Sequence, residues 1–100
     1  MDEKNFRFAE PAQLAYAAAI RYLLEHNLFT AERFVEEVDA AIERICRFPE
    51  SGSLIREDPK GPFRQFLVKP YRFIYGIEGD VVLIVAVVHT AQQTTRPIGI

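Results

Sequence analysis

Between Phe63 and His89 the chain has room for little except three short strands placed almost end to end. The first run is Phe63-Arg64-Gln65-Phe66-Leu67-Val68, the second Tyr71-Arg72-Phe73-Ile74-Tyr75-Gly76-Ile77, and the third reaches from Val81 to His89. Alternation in the second sets Tyr71, Phe73, Tyr75 and Ile77 on one face and Arg72, Ile74 and Gly76 on the other. The third is almost wholly apolar, which suits a strand covered on both sides. Lys69-Pro70 and Glu78-Gly79-Asp80 separate the runs, and connections that short make consecutive strands antiparallel. The C-terminal part therefore reads as a three-stranded meander that carries two arginines and ends on a histidine.

Upstream, Phe6 and Phe8 flank Arg7 in a brief half-buried strand over Asn5–Ala9. Pro11 suits the first turn of a helix, where its missing N–H costs nothing, and this helix runs to about Asn27. Ala12, Tyr16, Ala19, Ile20 and Leu23 make its apolar stripe, while Gln13, Arg21 and Glu25 face water. Thr30 is the expected cap of a second helix, joined to the first through Leu28-Phe29. Phe34, Val38, Ala41, Ile42 and Ile45 line its inner side until Phe48-Pro49 stops it. Two glycines and two prolines between Glu50 and Pro62 give an ordered, irregular loop. The expected architecture is α+β, order β-α-α-β-β-β: a small antiparallel sheet, the N-terminal strand plus the meander, packed against a two-helix hairpin.

One hundred residues suit a single domain spanning 1–100, with 49% apolar residues, enough for one core. Asp2, Glu3 and Lys4 stand where a secretory signal needs an apolar stretch, and no run approaches the length of a membrane helix. A cytoplasmic protein is expected. Residues 1–50 hold six Lys/Arg against ten Asp/Glu, and residues 51–100 hold six against four. An acidic helical layer on a mildly basic sheet disfavours extensive phosphate contact. Cys46 is the only cysteine and reads as a packed thiol; with His26 and His89 far apart, no metal and no cofactor are expected.

Taken in order, these segments resemble the ParE/RelE superfamily of toxins from type II toxin–antitoxin modules, the plasmid stabilisation systems. Ala12, Tyr16, Ala19, Tyr22, Leu23 and Asn27 are similar to the family's first helix, and Ala31, Phe34, Ile42 and Ile45 to its second. Phe48-Pro49-Glu50-Ser51-Gly52 resembles its Pro-x-x-Gly turn, Arg64 the arginine opening the first hairpin strand, Tyr71-Arg72-Phe73-Ile74-Tyr75 its aromatic–arginine strand, and Val87-Val88-His89 the last strand's end. The resemblance implies the fold above and a cognate antitoxin that wraps the toxin, as a hetero-oligomer. It also implies one of two activities: ParE-like members poison DNA gyrase, whereas RelE-like members cut messenger RNA on the ribosome.

Metal-free RNA cleavage needs proton-transfer groups and cations around the phosphorane, which Arg64, Arg72 and His89 would have to supply, with Glu57 or Asp58 as a possible base. A gyrase inhibitor needs only a complementary surface, and low net charge suits a protein target. The expected reading is a non-enzymatic, ParE-like toxin, with the endoribonuclease and a non-toxic antitoxin-binding module as alternatives. Arg64, Lys69, Arg72, His89 and Arg96 are the candidate target contacts, and Leu24, Leu28 and Phe29 the candidate antitoxin contacts. Each also has an ordinary reading: Arg64 and Arg72 as solvated strand arginines, His89 as a structural hydrogen-bonding group, Lys69 as a turn residue.

Overall fold

The computed structural model describes residues 3–91, so Arg96 lies outside the described residues. Strand β1 (Asn5–Phe8) leads into helices α1 (Glu10–His26) and α2 (Leu28–Arg47). A 3₁₀ turn at Pro49–Ser51 and the two-residue strand β2 (Ser53–Leu54) follow, then β3 (Arg64–Val68), β4 (Tyr71–Glu78) and β5 (Val81–His89). The strands form one five-stranded sheet in the order β1-β5-β4-β3-β2. The helical hairpin covers one face of it, and the segment between β2 and β3 crosses the other.

Both helical stripes are buried as their spacing requires. Ala12, Ala19 and Leu23 of α1 meet Ala31, Phe34, Val38, Ala41, Ile42, Ile45 and Cys46 of α2 in one core with Val68, Phe73, Tyr75, Val82 and Ile84 of the sheet. Tyr16 lies between the layers, its ring 5.3 Å from Phe8, 6.0 Å from Phe34 and 5.7 Å from Phe73. Burial beside Asp39 pushes its phenol up to about 12, so it stays protonated through the neutral range. Cys46 is packed as expected, and burial raises its thiol above the usual range, away from reactivity.

The helix junction is tighter than the sequence suggested. Asn27 alone separates the helices: its N–H donates to the Leu23 carbonyl at 2.8 Å, and its side chain accepts from the Thr30 N–H at 3.0 Å. The carboxamide thus caps α2 three residues ahead of Thr30, and Leu28-Phe29 becomes the first turn of that helix.

The sheet is mixed rather than antiparallel, because β1 pairs parallel to β5, Asn5 opposite Val81 through Phe8 opposite Ile84. The hairpin returns the chain to where β1 starts, as the bond from Lys4 N–H to the Cys46 carbonyl (2.9 Å) shows. A meander of three strands begun from that side runs its third strand in the direction of β1. The other pairings are antiparallel.

Two tight turns set the meander's register. Gly79 (φ 61°) with Asp80 joins β4 to β5, the left-handed position that glycine occupies without steric cost. Lys69-Pro70, with a cis bond, joins β3 to β4. Ile74 pairs with Ala86 while Tyr75 pairs with Ile84, so Val85 is the extra residue of a bulge. The bulge lets Val82 and Ile84, then Val87 and His89, face the helices despite the odd spacing. β5 is fully buried only at Val82 and Ile84 on that face; Val87 and His89 there, and Leu83, Ala86 and Val88 on the outer face, are half-buried. Among the described residues no helix is long and apolar enough to cross a membrane, and no group of His, Cys, Asp or Glu is placed to hold a metal ion.

Candidate functional site

Arg64 starts β3 opposite Tyr75, so both side chains lie on the helix side of the sheet. There they grip the turn that ends the helical hairpin. The Arg64 guanidinium donates to the Gly52 carbonyl at 2.9 Å, and the Tyr75 hydroxyl donates to the Pro49 carbonyl at 2.7 Å while accepting from the Gly52 N–H at 3.1 Å. The Pro-x-x-Gly turn is therefore stapled to the sheet by two side chains. Burial raises the Tyr75 phenol, partly offset by the Gly52 N–H and the Arg64 charge, so the hydroxyl keeps its proton for Pro49.

Arg72 lies opposite Leu67 and Val88, on the outer face. Its Nη2 donates to Oε2 of Glu57 at 2.5 Å, and the two side chains are only 15% and 14% exposed. Glu57 belongs to the segment that crosses this face, where Ile55 is wholly buried and the Phe63 ring lies against Gly76. The hydrogen bond from Arg72 is the main cause that holds the Glu57 carboxyl below the usual carboxylate range, against the opposing effect of burial. Folding stability from this pair is full above the unfolded glutamate value of about 4.3 and falls away as pH drops through the lower folded value. Glu57→Gln is thus expected to be less stable than the native chain at pH 7 in urea denaturation, the difference vanishing in acid.

His89 pairs with Tyr71 at the far end of β5, their rings 5.2 Å apart and edge-on. Its Nδ1 accepts the Ala91 N–H at 3.0 Å, which leaves the proton of the neutral ring on Nε2. The Thr90 N–H donates to the Pro70 carbonyl at 2.7 Å, so His89 and the exposed Lys69 share one end of the sheet.

The structure thus puts Lys69 and His89 at one end of the sheet and disperses the rest. Arg64 shares a face with His89, but their partners Tyr75 and Tyr71 are four positions apart on β4, about 13 Å along a strand. Arg72 points the other way, and its nearest carboxylate is committed to it. Arg64, Arg72 and His89 do not surround one reacting phosphate.

Leu24, Leu28 and Phe29 are 49%, 56% and 79% exposed. Leu24 lies on the floor of a groove of about 310 Å³ between the helices, together with Ile20, Ala31 and Val35, and Glu32 and Glu36 form its rim. Leu28 precedes Ala31 by three and Val35 by seven residues, which extends that floor, and Phe29 heads the line of Glu32 and Glu36. The sequence reading missed the carboxylate rim, whose i,i+4 spacing was visible, and the bonds of the Tyr75 hydroxyl to Pro49 and Gly52, which nothing in the spacing marks.

Comparison with known proteins agrees with this fold. Residues 6–94 match the family model of the ParE toxin of type II toxin–antitoxin system, parDE. Among solved structures, the chromosomal ParDE TA system from P. aeruginosa is similar to this chain at a TM-score of 0.66 and 12% sequence identity, covering 87% of this chain and 96% of that one. No curated protein matches. With the family model spanning most of its length over the observed order of strands and helices, the chain belongs to the ParE toxin family of type II toxin–antitoxin systems.

Proposed function

We propose that this toxin acts by binding, that DNA gyrase is its target in the cytoplasm, and that a cognate antitoxin neutralises it in a hetero-oligomer. The observation that carries the reading is the dispersal of Arg64, Arg72 and His89 over two faces and two ends of the sheet. An endoribonuclease needs such groups within reach of one phosphate; a binding protein does not. Target contact is assigned to the end of the sheet where Lys69 and His89 lie. Low net charge supports a protein target over an RNA groove. Expression without the neighbouring antitoxin gene is expected to give filamentous cells with DNA damage. Translational arrest with cleaved messages contradicts the proposal.

The antitoxin is placed in the groove between α1 and α2. An apolar floor of Ile20, Leu24, Ala31 and Val35 beneath Glu32 and Glu36 fits an amphipathic helix flanked by Lys or Arg. Leu24→Asp with Leu28→Asp puts two carboxylates on that floor beside existing ones. Affinity for the product of the neighbouring antitoxin gene, measured by calorimetry, is expected to fall about 100-fold or more. Unchanged affinity moves the antitoxin elsewhere.

A further inference from the structure

The ion pair on the outer face of the sheet is closely shielded and incompletely made. Arg72 offers Glu57 one prong of its guanidinium fork, Nη2. Arg72 Nε, Glu57 Oε1 and Gln65 Oε1 are buried without a hydrogen-bond partner. Gln65 lies opposite Ile74, two residues from Arg72 on the same face, so the two residues are diagonal neighbours about 7–8 Å apart. An arginine fork matches the two oxygens of a carboxylate when Nε and Nη2 are both used. Here half of that match is unmade, in a place where water cannot compensate freely.

The segment that brings Glu57 is lightly held. Between Ile55 and Phe63 it makes two turn bonds of its own, Asp58 N–H to the Ile55 carbonyl and Gly61 N–H to the Asp58 carbonyl, both 3.1 Å. Ile55 and Phe63 anchor its ends, and the Glu57–Arg72 pair holds its middle. Beneath it the sheet offers the buried Ile74 and Gly76, with the half-buried Val88 and the exposed Leu67 beside the single sheet cation there, Arg72. One cation among apolar residues suits an acidic side chain of a protein; a nucleic-acid backbone would call for a track of them.

We propose that residues 56–62 form a displaceable strap over a partner-binding face, and that Glu57 holds, at Arg72, the place of a carboxylate from an acidic segment of a protein partner. The incoming carboxylate engages Nε and Nη2 together, and the strap swings off Ile74 and Arg72. Arg72, covered in the free toxin, thereby becomes a contact residue only once the partner arrives. This deepens the reading that the toxin acts by binding a protein, but its first test needs no target.

Hydrogen exchange by NMR reads the strap directly. In Glu57→Gln the Asp58 and Gly61 amides are expected to exchange about 10- to 100-fold faster than in the native chain, a clearly larger acceleration than that of the α2 amides, which follow only the loss of global stability. Glu57→Asp, which keeps the charge but shortens the reach, should fall between and serves if Glu57→Gln unfolds. Titration with a tetraglutamate peptide is expected to shift the Arg72 Nε–H resonance in the Glu57 variant at concentrations that leave the native chain unmoved. A tetrathymidylate oligonucleotide should leave it unmoved in both. Unchanged strap exchange, acceleration of every amide alike, or a shift with the oligonucleotide and none with the peptide overturns the proposal. None of these results depends on whether gyrase is the target.

Discussion

Phe73→Ala is expected to lower the unfolding free energy by about 3–5 kcal/mol, a large share of the stability of a domain this size. The ring is fully buried at the centre of the sheet. It stacks on Phe66 at 4.8 Å and 6° and meets Tyr16 at 5.7 Å and Phe34 at 6.2 Å, so one truncation removes contacts to β3, α1 and α2 at once. Those neighbours are held by their own strands and helices and collapse little into the space, which puts the cost at the upper part of the range. Urea denaturation followed by circular dichroism checks it. A loss under about 1 kcal/mol would mean that the helices are not seated on this strand.

Gly52→Ala comes next, at about 2–4 kcal/mol, from overpacking together with lost hydrogen bonds. The backbone there, φ −72° and ψ 159°, is open to any residue, so the demand is for space. A Cβ would stand 2.3 Å from the Tyr75 hydroxyl and 2.8 Å from the Gln65 carbonyl, and the latter is backbone that cannot swing aside. Making room therefore breaks the bonds from Tyr75 and Arg64 that fasten the end of the hairpin to the sheet. Tyr75→Phe removes the nearer obstacle. The double variant is expected to lose less than the sum of the single losses, and strict additivity would show that the turn and the hydroxyl are not coupled.

The helices and β4 were legible because their apolar periods are local and unbroken: Phe34, Val38, Ile42 and Ile45 at helical spacing, Phe73 and Tyr75 at strand spacing. β5 was legible as a strand but not in its facing, since the bulge at Val85 reverses the alternation midway along an apolar run. β2 has only two residues, too few to carry a period. The parallel direction of β1 depends on where the hairpin delivers the chain, which no local pattern encodes.

The candidate site was legible as a set of residue types and not as an arrangement. Arg64 and Arg72 sit on different strands, and only the register of Arg64 against Tyr75 reveals that they face opposite ways. Glu57 lies 15 residues before Arg72, and their pairing depends on a strap whose path no sequence period describes. Leu24, Leu28 and Phe29 were candidates for exposed apolar contacts, and all three are exposed.

Whether this fold grips a protein and performs no chemistry is decided by adding purified chain to a gyrase supercoiling assay and, in parallel, to ribosomes holding messenger RNA. Supercoiling is expected to stop at toxin concentrations comparable to that of gyrase while the message stays intact. Gyrase working undisturbed, with message cut at substoichiometric toxin and cutting lost in His89→Ala, would contradict it.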